Sequence, residues 1–100
     1  MAKINVTIPH TQPRLEALTR IKGLLAEVGK QYGDQVSDLE ENWDHNVGTF
    51  SFNILGMSVS GTLTVGDSDV VLDGTIPLAA VLWKKKIIAT VTERANKLLA

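Results

Sequence analysis

The 100-residue chain has no cysteine, which excludes a disulfide framework and any thiolate-bound metal. No apolar run approaches the roughly 18 residues of a membrane span. The start, MAKINVTIPH, has no apolar stretch of signal-peptide length, so a soluble cytoplasmic protein is expected. No lysine or arginine occurs between residues 31 and 75, a stretch that holds eight of the eleven acids. A net charge of −1 argues against general nucleic-acid binding, which calls for a clearly basic domain. Disorder is also excluded, because 44% hydrophobic and 21% charged residues are ordinary globular proportions. One hundred residues suffice for one domain with one modest core, expected to span residues 1–100.

The charge division doubles as a map of elements. Ile4, Val6 and Ile8 alternate with Lys3, Asn5 and Thr7, the pattern of a half-buried strand. Pro9 ends it. Thr11 is a candidate helix cap and Pro13 suits a first turn. Leu15, Leu18, Ile21, Leu25, Val28 and Tyr32 then form one apolar helical stripe that Gly33 terminates. After an irregular strand near 36–44, three alternating runs follow. They contain Phe50, Phe52 and Ile54; then Val59, Gly61, Leu63 and Val65; then Val70, Leu72, Gly74 and Ile76. Turns at Asp44-His45-Asn46, Leu55-Gly56 and Gly66-Asp67-Ser68 join them into an antiparallel meander with one wet face. A last helix is expected from Pro77 to the C-terminus, burying Ile87, Val91, Ala95 and Leu98. The order β-α-β-β-β-β-α predicts an α+β two-layer sandwich with an antiparallel sheet of about five strands. Its long C-terminal helix crosses one face in a reduced helix-grip-like manner.

Candidate chemistry is sparse. His10 and His45 are the only histidines and read as exposed turn residues; no metal site is expected from them. Gly66-Asp67-Ser68-Asp69 lacks the ligand set of a calcium loop and reads as a hairpin turn. No nucleophile elbow or phosphate loop is present, so no catalytic residue and no cofactor is assigned. Two residues break the pattern. Strand period places Glu41 on one face with Leu39 and Trp43, and the helical wheel places Lys84 within a stripe of Trp83, Ile87, Ile88 and Val91. An edge strand with a bulge would turn Glu41 outward. Otherwise Glu41 and Lys84, both aimed at the dry layer, pair with each other or meet a ligand's polar end, and Glu41, Trp43, Phe50, Phe52 and Lys84 are the candidate ligand-binding set. Gly61 and Gly74 face inward, where they leave room for a ligand or let a helix pack closely; close packing without a ligand-sized cavity is expected. Lys85 and Lys86, beside Leu82 and Trp83, form a small basic, aromatic-edged contact patch. Three lysines in all fall short of the four to eight that mark firm lipid binding.

One pattern extends over most of the chain. Trp43 leads through a polar turn to Phe50, then to Gly61 ahead of Leu63 and Val65. Val70-Val71-Leu72, Ile76-Pro77-Leu78, Lys86-Ile87 and Val91 follow. This resembles the polyhydroxyalkanoic acid system proteins, small bacterial proteins of the polyhydroxyalkanoate granule region. The resemblance implies a non-enzymatic accessory role in polyhydroxyalkanoate metabolism, in the cytoplasm and at the granule surface or its proteins. A carrier for an apolar or acyl ligand, held between sheet and C-terminal helix in a cavity lined by Phe50, Phe52, Leu63 and Leu72, is the alternative. Hydrolysis of the polymer has no residue set behind it. An unpaired strand edge leaves monomer and homodimer both open.

Overall fold

In the computed structural model, which describes residues 2–54 and 56–100, the alternating runs form one sheet. Strands β1 (Ala2–Pro9), β2 (Val36–Asp44), β3 (Val47–Ile54), β4 (Met57–Val65) and β5 (Asp69–Ile76) lie in the order β1-β5-β4-β3-β2, all antiparallel. Register fixes the faces, since directly opposed residues point the same way. Val6 opposes Leu72, Leu72 opposes Leu63, and Phe50 opposes Gly61. These form the dry face. The wet face carries Asn5, Thr62, Asp73 and Thr75, with an Asn5 to Asp73 hydrogen bond across the first pair. The expected turn at Leu55-Gly56 lies partly outside the described residues.

Helices α1 (Arg14–Ile21), α2 (Leu24–Tyr32) and α3 (Lys84–Leu99) cover the dry face, with α3 packed on β1, α1 and α2. The expected single helix over 13–32 is therefore two. The Gly23 amide bonds Arg20 O at 3.3 Å instead of the carbonyl four residues back, and the Glu27 amide to Gly23 O restarts the ladder at 3.1 Å. Glycine is about 1 kcal/mol worse than alanine inside a helix, and the tighter turn here brings Ile21 and Leu24 both fully into the core. Leu15, expected in the stripe, is 74% exposed, and Ala17 takes the buried place. Thr11 does not cap: Pro13 is the N-cap residue, with no side-chain bond. Gly33 does end α2, at φ 58°. Side chains tie the layers at the rim, where Gln12 donates to Leu99 O at 3.2 Å and Arg94 to Gln31 at 3.0 Å.

The last helix also departs from expectation. Residues Leu78–Trp83 form a 3-10 segment, and the α-helix begins only at Lys84. Pro77 sits before the segment at φ −61°, and Ala80 N bonds Pro77 O at 2.9 Å. Only Ala80 of the six side chains is buried. A 3-10 turn of three residues stacks side chains along a narrow ridge. The chain thereby anchors one small residue and leaves the large ones outside.

The two edges differ. β2 carries Asp38, Glu40, Glu41 and Asp44 and is interrupted by a bulge between Ser37 and Glu40. Asp38 adopts φ 55° there, a conformation aspartate tolerates better than most residues. Charge and bulge both discourage edge-to-edge pairing of β2.

Candidate functional site

The bulge decides where the candidate residues point. Before it, Val36 opposes the dry-face residue Ile54; after it, Glu41 opposes Phe50 and Trp43 opposes Gly48. The extra residue reverses the phase of β2, so Leu39, Glu41 and Trp43 all face the helix side. The bulge does not turn Glu41 outward. Glu41 accepts a 2.7 Å hydrogen bond from Trp43 Nε1 and remains half-buried. Among the described residues it forms no ion pair with Lys84, which is half-buried at the first position of α3. The paired use of Glu41 and Lys84 thus has no contact behind it.

Two of the candidate aromatics lie on glycines. A Cβ at Gly48 would meet the Trp43 ring at 2.6 Å, and one at Gly61 would meet Phe50 Cζ at 3.0 Å. A Cβ at Gly61 would also collide with Asp73 O and Gly74 Cα. Trp43–Gly48 and Phe50–Gly61 are therefore cross-strand pairs in which a flat ring fills the place of the missing side chain. The Lys22 ammonium sits 5.7 Å from the Trp43 ring centroid, within cation–π range. Phe52 stacks beside Phe50 with centroids 6.2 Å apart.

Beyond Phe50 and Phe52 the core is not filled. A cavity of about 290 Å³ lies between the inner face of all five strands, Ile4 and Val6 of β1 included, and helices α2 and α3, against an expectation of close packing. Gly74 and Gly29 both line it, and a Cβ at Gly29 would meet nothing within 4 Å. The missing side chain at Gly29 leaves space that a packed core would occupy, whereas a Cβ at Gly74 would press on Ser60 O at 3.2 Å. Phe50, Phe52 and Leu72 line the cavity as expected, but Leu63 does not. Leu63 is fully buried in the closed part of the core. Sequence reasoning misses Val28, Gly29, Tyr32, Ile54 and Met57 as lining residues; a glycine interrupting an apolar helical stripe is the available signal. Trp83 and Lys86, assigned to a surface patch, also line the cavity, while Lys84 does not. Gln35, Leu39, Trp83 and Lys86 are solvent-exposed members of the lining and mark its mouth.

Beside that mouth the 3-10 segment forms an apolar ledge. Leu82 is 90% exposed and Leu78 71%, with Val81 and Trp83 also outside. Exposing a large apolar side chain forgoes about 1.5–3 kcal/mol relative to burying it. Lys84, Lys85 and Lys86 follow in the first turn of α3, which has no acid. Cations there oppose the helix dipole at about 0.3–1 kcal/mol each. Among the described residues no carboxylate lies within 4.0 Å of the three. Leu78 and Val81 escape the sequence reading, although Leu78–Trp83 contains no polar residue.

The histidines separate. His45 is exposed, in the β2–β3 turn at φ 56°. His10 corrects expectation: it is 8% exposed. Its Nδ1 accepts from the Gln12 amide at 3.1 Å, and its Nε2 lies 3.0 Å from Gly66 O. The inward alternation Ile4, Val6, Ile8 simply runs on through Pro9, held by His10 N to Ser68 O at 2.9 Å. Among the described residues no three His, Asp or Glu side chains form a metal-sized group, and no helix is long and apolar enough to cross a membrane.

Residues 4–99 match the family described as "putative polyhydroxyalkanoic acid system protein", and the chain belongs to that family. Among curated proteins no sequence matches. The chain is similar in fold to the crystal structure of TTHA0849 from Thermus thermophilus. That likeness has a TM-score of 0.56 and 20% identity over 98% of this chain and 92% of that one. Identity at that level speaks for the fold alone.

Proposed function

We propose that this member of the polyhydroxyalkanoic acid system family is a non-enzymatic accessory protein of polyhydroxyalkanoate metabolism that attaches, in the cytoplasm, to the surface of the polymer granule. The observation that carries the reading is the ledge Leu78–Trp83 with Lys84, Lys85 and Lys86 directly behind it. An apolar ridge backed by cations fits a hydrophobic body with an anionic coat. Magnitudes assign the roles. A lysine near an anionic surface contributes about 1 kcal/mol, so three give affinity on the order of a hundredfold. That alone is too little for a stable hold. Insertion of Leu78, Val81, Leu82 and Trp83 supplies the larger share, and the lysines orient the approach.

Co-sedimentation with isolated granules tests this. Leu82→Asp should lower the bound fraction by about tenfold or more, because it sets a charge at the most exposed apolar position. Lys85→Glu with Lys86→Glu should lower it less and remove most of its dependence on salt. Binding that survives Leu82→Asp unchanged would overturn the reading.

A further inference from the structure

We propose that the cavity between the sheet and helices α2 and α3 binds an acyl chain with an anionic or thioester head, its tail inside and its head at Lys86. The inference is separable from granule attachment because the cavity's interior residues take no part in the ledge, although Trp83 and Lys86 belong to both.

Four observations lead to it. The volume, about 290 Å³, is at the lower limit of small-molecule sites, roughly 300–1,000 Å³, and suits a slender molecule better than a ring system. The lining is aliphatic and aromatic throughout its depth, from Val28 and Val91 to Phe50 and Phe52. Such a surface offers a ligand's interior part no hydrogen-bond partner, so a polar group placed there would be left unsatisfied. The few polar side chains of the lining are Tyr32, Gln35 and Lys86, and none of the lining residues is an acid. An amphiphile with a cationic head is therefore unmatched, whereas an anionic or carbonyl-bearing head meets an ammonium and two hydrogen-bonding groups. Lys86 is exposed, so the head remains at the solvent boundary while the tail enters.

The space is also held open at a cost to the helix. Gly29 is a poor helix former in the interior of α2, its absent side chain abuts the cavity, and nothing within 4 Å requires it to be small. A larger residue would fold at least as well there and would fill the site.

Isothermal titration with sodium decanoate, and separately with the N-acetylcysteamine thioester of decanoic acid, tests the proposal on the full chain. Saturable one-to-one binding of either is expected. Tighter binding of the acid identifies a free acid as the ligand class, and tighter binding of the thioester an activated acyl group. Gly29→Leu should keep or raise the melting temperature of the ligand-free protein while weakening binding about tenfold or more. Val28→Phe provides the same obstruction if that variant does not fold. Lys86→Gln should weaken decanoate by about threefold, the size of an exposed ion pair, and leave decanol unaffected. Leu82 does not line the cavity, so Leu82→Asp should detach the protein from granules yet bind decanoate normally. Absence of saturable binding, undiminished binding by a folded Gly29→Leu variant, or loss of decanoate binding in Leu82→Asp would overturn the proposal.

Discussion

The two ends of the same sandwich are built to different standards. At the end of the strands where Ile8, Val70 and Val65 lie side by side, the inner face is closed: Ile8, Leu63, Val65 and Val70 are fully buried, together with Ala17 and Ile21 of α1 and Ala95 of α3. At the other end, where Val36, Ile54 and Met57 lie side by side, these three and Phe52 are only half-buried, Leu39 is exposed, and a cavity lies beneath α2 and α3. Both ends use the same strand alternation and comparable side chains. What differs is where glycine replaces a side chain and how regularly the covering element is wound. Hydrophobic content alone does not make a closed core; facing volumes must also match.

Truncations break the comparison most sharply. Ile21→Ala and Leu63→Ala should each cost about 2–5 kcal/mol, because the closed end cannot relax around a hole. Phe52→Ala should cost about 1–2 kcal/mol despite removing more atoms, since its ring is half-buried beside an existing void. Urea denaturation gives these values; equal costs at the two ends would mean that the cavity end is packed. His10→Ala comes next, at about 1–3 kcal/mol, because it strips partners from the Gln12 amide and the Gly66 carbonyl at the closed end. Smallest is Gly29→Ala, expected to stabilise by up to about 1 kcal/mol. A destabilising result would show that the space beside Gly29 is already filled.

The contrast between the ends also governs what the sequence reveals. β1, β3, β4 and β5 are legible as alternating runs because each has one dry and one wet face. The helical stripe from Ile21 to Val28 is legible for the same reason. The break at Gly23 is not, since one glycine within a stripe is compatible with a continuous helix. β2 is legible in its bounds and in the shared face of Leu39, Glu41 and Trp43, but the extra residue near Asp38 that brings Val36 to that face as well is not, since no period-two pattern runs across such a reversal. Leu78–Trp83 reads as the start of a helix because Pro77 precedes it, yet an all-apolar hexapeptide has no periodicity to show which face is buried. His10 is hidden by Pro9, which reads as the end of the strand although the chain stays in register through it. The cavity is lined by glycines from elements 45 residues apart in sequence, Gly29 and Gly74, which only the fold brings to one space. Glu41 does lie on the inner face that strand period assigns it, but its partner is Trp43, two residues along the same strand, and not Lys84.

On our proposal, the loosely packed end is the working end of the molecule. Methyl-resolved NMR during titration with decanoate tests this without any substitution. Shifts concentrated at Val28, Ile54, Ile87 and Ile88 are expected, with Leu63, Val65 and Val70 unmoved. Shifts of similar size at the closed end, or confined to it, would contradict it.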